Sequence, residues 1–187
     1  PISKYLPASV KVPTYKGGGP PITLGHLSDH TSSMLRMPTN MPESDPTDPA
    51  ADYTPELMYA FLSSYELPRE VGSEYEYSNF AVGVLGQIQA LAAGTSYEEA
   101  LTSVITSPLK MKETAITLSP KMKENLAVGH SMGMPVNNWD LNAMQGAGGI
   151  RSSAHDMLLY LSANLGLTKS QLSKAMELTH TPRHDKA

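Results

Sequence analysis

Two segments rich in proline and glycine limit what this chain can fold into. Residues 17–21 read GGGPP, and residues 38–49 read PTNMPESDPTDP, with four prolines. Proline supplies no backbone donor and glycine has a very permissive backbone, so neither segment can continue a helix or a central strand. Regular structure must therefore consist of short elements between long connections. A connection as long as residues 38–49 is typical of a lid or the rim of a site.

The apolar residues between these connections follow a helical period. Thr54-Pro55-Glu56 combines a capping residue, a first-turn proline and an acid, and apolar residues at helical spacing follow it. A second helix is predicted from about Asn79 to Ala93, with Gly94 as its stop. Gly83 and Gly86 inside it reduce helix stability, so we expect close packing against another element there.

The sequence predicts further short elements. They are a short helical segment after Thr23, a helix begun by the capping box Ser96–Glu99 and ended before Pro108, an extended stretch at Glu113–Leu118, and helices from Ser119-Pro120 to about Val128, from Ser153 to Gly166, and after Thr168–Gln171. The sequence thus predicts a mainly α chain, forming a single helical domain over residues 1–187 with a flexible tail at 180–187.

Composition excludes several classes of function. The net charge is −4 and Lys and Arg are not clustered, which argues against nucleic-acid binding. The chain has no cysteine, so disulfides and thiolate chemistry are excluded. No apolar run approaches the ~18 residues of a membrane span. The chain begins at Pro1 without a methionine, and we expect a processed or truncated product.

Three other motifs have weak structural context. Gly129–Gly133 matches the G-x-S-x-G elbow, with Ser131 as nucleophile, but the segment before it reads as a helix and not as a buried strand. Ser107–Lys110 matches S-x-x-K but closes a helix where a nucleophile should open one. His26 and His30 would share a helix face, yet the zincin glutamate is missing. We expect no metal and no cofactor, and surface histidines at 180 and 184.

Tyr77-Ser78-Asn79 lies where the second helix begins. A phenolate can act as a general base, but a free tyrosine has a pKa of about 10 and needs cationic neighbours and a fixed position. An asparagine two residues on can offer its amide to a substrate carbonyl or hold a lysine in place. The tripeptide alone fits a tyrosine packed on the core equally well.

The surroundings of the tripeptide resemble the class C β-lactamase, penicillin-binding protein and esterase superfamily. Residues 71–86 resemble its "PG-x-x-x-x-YSN-x-x-x-x-LLG" segment. Other segments match in order: Tyr5–Pro7 ("KYLP"), Ile22–Ser32 ("ITIRHLLTHTSG"), Gly94–Tyr97 ("TGKSY"), Ser107–Thr114 ("EPLGMKDT") and Gly146–Met157 ("PAGGLRSTAEDM"). The resemblance covers most of residues 5–165.

The resemblance implies acyl transfer by a serine hydrolase. A serine attacks the carbonyl of a β-lactam, a D-alanyl peptide or a short acyl ester, and water then releases the acyl group. It gives Tyr77 the position of the catalytic tyrosine, and it gives Asn79 that of the partner of the substrate amide. It also assigns Ser107–Lys110 to a structural turn and Gly129-His130 to a surface hairpin or loop.

The family's S-x-x-K helix belongs before Tyr5, and its K-T-G or H-x-G strand belongs after residue 187. We therefore expect this chain to supply the helical domain and one wall of the cleft, with little or no turnover by itself and a tendency to self-associate through an exposed apolar face. The alternative is a non-catalytic helical domain of the same fold that binds a ligand or a partner. A second alternative is a separate enzyme that uses Ser107 with Lys110, or Ser131.

Overall fold

The computed structural model describes residues 1–183 and separates the chain into two compact units. Unit 1 contains Pro1–Gly94 and Ala127–Gly149, and unit 2 contains Thr95–Leu126 and Ile150 onward. Residues 184–187, which include His184 and most of the predicted tail, lie outside the described residues. The prediction of a single domain stays a prediction.

Unit 1 is built from short helices and one hairpin. Its elements are a 3₁₀ turn at Ile2–Lys4, α1 (Leu24–Ser28), α2 (Pro55–Ser64), α3 (Asn79–Ala93), β1 (Gly129–Ser131), β2 (Met134–Val136) and a 3₁₀ segment at Asn142–Ala147. Side chains from all three helices and from the 3₁₀ segment at Asn142–Ala147 form one apolar core, which includes Leu27, Met58, Phe80, Val84 and Met144. Helices predominate over sheet among the described residues, in agreement with the predicted mainly α chain.

The bounds predicted for α3 are confirmed. Ser78 is the N-cap, and its Oγ accepts a hydrogen bond from the Ala81 amide at 2.9 Å. Gly94 ends the helix with φ of 67°, a left-handed conformation that glycine adopts at little cost. The predicted start of α2 is confirmed as well, because Thr54 accepts from the Leu57 amide.

The glycines inside α3 explain how closely this helix is packed. A Cβ on Gly83 would lie 3.1 Å from Cγ of Met144. A Cβ on Gly146 would lie 2.9 Å from Cα of Gly86, so the two backbones are in direct contact. The expected close packing is therefore confirmed, and its partner is the 3₁₀ segment Asn142–Ala147.

The G-x-S-x-G match forms a β-hairpin and not a nucleophile elbow. Strands β1 and β2 pair antiparallel, with Ser131 opposite Met134. Met132 and Gly133 join them with φ of 49° and 80°, as a tight two-residue hairpin turn requires. The loop assignment of Ser131 is refined, since this serine ends an exposed strand.

The predicted shared helix face of His26 and His30 is wrong. Helix α1 ends at Ser28, and His30 follows it in a left-handed conformation with φ of 61°. His26 instead completes a capping box, in which its Nδ1 accepts from the Thr23 amide. The Thr31 amide bonds to the His26 carbonyl and closes this turn, so the chain leaves the helix axis before His30.

Unit 2 contains the remaining helices. They are α4 (Tyr97–Leu101), continued by a π-helical turn (Thr102–Thr106), α5 (Pro120–Glu124), α6 (Ala154–Asn164) and α7 (Ser173–Thr179). The capping box at Ser96 and the Ser153 cap of α6 are confirmed. The predicted extended stretch is reduced to one bridge, between Ala115 and Arg151.

Two predicted helices in unit 2 have different bounds in the structure. Helix α5 ends at Glu124 instead of about Val128, and none of its residues is buried. Helix α7 begins at Ser173, and no side chain caps its first turn, so the predicted start at Thr168 is wrong. Neither short segment has enough buried apolar residues to fix its ends.

Candidate active-site wall

Tyr77 lies just before the N-cap of α3 and exposes 46% of its surface. Its ring centroid lies 4.5 Å from that of His30, with 37° between the two ring planes. The guanidinium carbon of Arg36 lies 5.7 Å from the centroid of the same ring. Tyr77 is therefore an accessible phenol whose ring contacts both an imidazole and a cation.

Ser78 fixes the backbone beside Tyr77. Its side chain is fully buried, and its Oγ donates to the Leu35 carbonyl at 2.7 Å while it caps α3. Its amide donates to Nδ1 of His30 at 3.1 Å. One residue thus ties the start of the helix to the segment that carries His30 and Arg36.

Asn79 is half-buried at the first position of α3. Its Nδ2 donates to Sδ of Met37 at 3.4 Å, and thioether sulfur is a weak acceptor. No hydrogen bond is formed by its Oδ1 among residues 1–183, so this carboxamide is weakly held.

The segment before Tyr77 is fastened to residues 30–33. The Gly72 amide donates to the Thr31 carbonyl and the Glu76 amide donates to the His30 carbonyl, both at 2.8 Å. Ser33 Oγ donates to the Arg69 carbonyl at 3.0 Å and accepts from the Arg69 amide. These bonds fasten the segment that leads to Tyr77 to the segment that carries His30.

The charge of His30 is set by its surroundings. Burial lowers the pKa of His30, and the nearby Asp29 carboxylate partly opposes this by raising it. A neutral ring agrees with the geometry, because Nδ1 must keep a free lone pair to accept the Ser78 amide.

The other proposed nucleophiles are placed differently. Ser107 follows the π-helical turn and is exposed, and the Lys110 amide donates to its carbonyl at 3.1 Å with Lys110 at φ of 61°, so the two residues close the end of a helix and do not open one. Ser131 is exposed in β1. Sequence reasoning treated His30 only as a metal ligand and did not consider Arg36. The one signal was the place of His30 in the segment Ile22–Ser32, which resembles "ITIRHLLTHTSG"; this segment ends before Arg36.

No cluster of three or more metal-ligating side chains occurs in the part of the chain that the structure describes, residues 1–183. Across the same residues, none of the helices combines the length and hydrophobicity that crossing a membrane requires.

Comparison with known proteins identifies the family of this chain. The family model described as Beta-lactamase matches residues 1–186. The D-alanyl-D-alanine-carboxypeptidase/endopeptidase AmpH of Escherichia coli is 34% identical over 100% of this chain and 47% of that protein. A Beta-lactamase of Escherichia coli is 27% identical over 88% of this chain and 40% of the relative.

Solved structures give the same result. The Beta-lactamase/D-alanine Carboxypeptidase from Yersinia pestis, complexed with citrate, matches with a TM-score of 0.79 and 29% identity, covering 94% of this chain and 49% of that one. A class C beta lactamase from Rhodobacter sphaeroides matches with a TM-score of 0.76 and 26% identity, over 96% and 48%. The chain spans about half the length of the relatives it matches. This chain belongs to the beta-lactamase family.

Proposed function

We propose that this chain is part of a serine acyl-transfer hydrolase that acts on β-lactams or D-alanyl peptides. The names of the relatives, which are carboxypeptidases and β-lactamases, support this substrate class. Short acyl esters share the same acyl chemistry and are the third substrate type that the sequence suggested. The observation that carries the proposal is the exposed phenol of Tyr77, held beside Arg36 at the entrance to α3.

In the complete enzyme Tyr77 is the general acid and base. Its oxygen takes the proton of the attacking serine hydroxyl as that oxygen bonds to the substrate carbonyl carbon, and it then returns a proton to the leaving group. In the second step it takes a proton from the water that attacks the acyl-enzyme, and it returns this proton to the serine oxygen as the acid is released. Arg36 supports this role by holding the ring in place, because its guanidinium carbon lies 5.7 Å from the ring centroid, within the range of a cation–π contact.

Asn79 orients the substrate in this proposal. Its carboxamide can accept from and donate to a substrate amide. Exchanging the weak sulfur contact of Met37 for an amide of the substrate would strengthen the hydrogen bonding of Asn79. Tyr77 and Asn79 are then the two side chains that this chain gives to the wall of the cleft.

A first experiment tests the chain by itself. Incubation with a fluorescent penicillin and with a fluorophosphonate should give no covalent label and no turnover, because the proposal assigns no nucleophile among its serines. A label on Ser107 or Ser131 would overturn this assignment and support the separate enzyme considered above.

A second experiment supplies the rest of the enzyme. The matching segment of the Escherichia coli carboxypeptidase/endopeptidase is exchanged for this chain, and release of D-alanine from a peptide ending in D-Ala-D-Ala is measured. Tyr77→Phe should lower kcat/KM by roughly 10²- to 10⁴-fold, the usual contribution of general acid–base catalysis. Tyr75→Phe is the matched control, because Tyr75 is also exposed and contacts the same histidine. Equal effects of the two substitutions would favour the non-catalytic module.

A further inference from the structure

His30 holds the residues on both sides of Tyr77. Its backbone carbonyl accepts from the Glu76 amide at 2.8 Å, and its ring Nδ1 accepts from the Ser78 amide at 3.1 Å. The intervening Tyr77 ring lies against the same imidazole, 4.5 Å between centroids. A single residue, 48 positions away from Ser78, therefore contacts Tyr77 itself and both of its neighbours.

The backbone of His30 is specialised for this task. Its φ of 61° is left-handed, a conformation that few non-glycine residues adopt, although histidine, asparagine and aspartate adopt it more often than the others. This conformation presents the carbonyl and the ring of His30 to the same stretch, residues 76–78. Such conformations are associated with functional sites, where the surrounding structure maintains them.

The hydrogen bond to Ser78 depends on the charge of the ring. A protonated imidazole has no lone pair at Nδ1, so it cannot accept the Ser78 amide. The groups near the ring are Asp29 on its own segment, the rings of Tyr75 and Tyr77, and Arg36, whose guanidinium contacts the Tyr77 ring. Burial disfavours the cation, whereas the Asp29 carboxylate favours it.

We propose that His30 is the positioning residue that fixes the Tyr77 phenol for proton transfer, and that it does so in its neutral form. The catalytic part of this inference rests on the proposed function of Tyr77. The structural part does not, since it concerns only where the Tyr77 ring lies. Proton transfer needs close and aligned atoms, and a displacement of about 1 Å can cost about 10²-fold in rate.

The positioning can be measured on the 187-residue chain without any substrate. Carbon-13-labelled tyrosine reports each ring by NMR, and the Tyr77→Phe variant assigns the Tyr77 signal. As pH is lowered from 8 to 5, the Tyr77 signal should shift with the same midpoint as the His30 ring. A Tyr77 signal that ignores the His30 titration would overturn the proposal, and this measurement needs no His30 variant.

The variant His30→Asn separates the ring from the hydrogen bond. Asparagine tolerates positive φ and places its Oδ1 where the imidazole has Nδ1, so the Ser78 amide keeps an acceptor. The Tyr77 signal should then move and lose its pH dependence. The control is His130→Asn, because this exposed histidine lies in β1 and contacts neither tyrosine.

Turnover in the exchanged carboxypeptidase tests the catalytic part. His30→Asn should lower kcat roughly 10- to 100-fold, with KM changed less than about threefold, since the phenol is misplaced while the substrate contacts stay. An unchanged kcat together with an inactive Tyr77→Phe would overturn the role of His30 and leave the proposed function intact. A fully active Tyr77→Phe would instead overturn the proposed function, whatever the NMR result.

Discussion

Replacing Ser78 by alanine removes two hydrogen bonds at the entrance to α3. The hydroxyl caps the helix at the Ala81 amide, and loss of such a cap costs about 1 kcal/mol. The hydroxyl also donates to the Leu35 carbonyl at 2.7 Å from a fully buried position. An acceptor left without a partner inside the protein costs about 1–3 kcal/mol. We expect Ser78→Ala to lower the free energy of unfolding by about 2–4 kcal/mol.

Urea unfolding followed by tryptophan fluorescence measures this cost. Trp139 is the only tryptophan, and it belongs to unit 1 together with Ser78. Thr54→Ala is the matched control in the same unit, because Thr54 caps α2 through the Leu57 amide. Its expected cost is about 1 kcal/mol, that of a cap alone.

The difference between the two variants isolates the bond to Leu35. If Ser78→Ala costs no more than Thr54→Ala, this bond contributes nothing and the reasoning is refuted. Denaturant slopes must agree between the variants, since a changed slope would mean that more than stability had changed.

Three further predictions concern charge and packing. The free energy of unfolding should fall as pH drops below 6.5, because burial lowers the pKa of His30 in the folded chain, so the unfolded chain binds more protons. Urea unfolding from pH 8 to 5 measures this loss, and the loss should be smaller in His30→Asn. Gly146→Ala should lower the free energy of unfolding by about 1–3 kcal/mol in the same assay, because its Cβ would lie 2.9 Å from the backbone of α3. Gly148→Ala is the control and should cost less, because its Cβ would meet only the end of the flexible Leu141 side chain, at 3.4 Å. Glu98→Ala should destabilise unit 2 by about 1–3 kcal/mol, because Glu98 Oε1 accepts hydrogen bonds from the Ile116 and Thr117 amides. Glu98→Gln keeps an acceptor oxygen and should cost less. Thermal unfolding followed by circular dichroism measures both variants.

The helices that the sequence predicted well are those whose ends are set by neighbouring residues. Helix α3 has its cap at Ser78 and its stop at Gly94, and both signals lie within a few residues of the ends they define. The start of α2 at Thr54-Pro55 follows the same rule. Family resemblance, and not periodicity, singled out Tyr77 and Asn79.

What the sequence missed depends on two kinds of bond that helical periodicity does not reveal: local bonds that close a turn, and one bond between distant segments. A helical reading gave His26 and His30 one face, but the bond from the Thr31 amide to the His26 carbonyl ends the helix first. The bond from Ser78 to His30 spans 48 residues, and no local pattern predicts it. Helix α7 begins later than Thr168 because side-chain bonds among residues 170–173 hold a turn there instead.

The candidate wall forms where the loop that carries His30 and Arg36 meets the N-terminus of α3. Two kinds of hydrogen bond join these segments. Backbone pairs, such as Gly72 with Thr31 and Phe80 with the Arg36 carbonyl, are available to almost any sequence and fix the overall approach of the two segments. Side-chain bonds from His30, Ser33 and Ser78 depend on residue type. Among these three, only His30 also contacts the Tyr77 ring. Substitutions at Ser33 and Ser78 should therefore act on Tyr77 mainly through stability, whereas His30 can change the position of the phenol in a chain that stays folded.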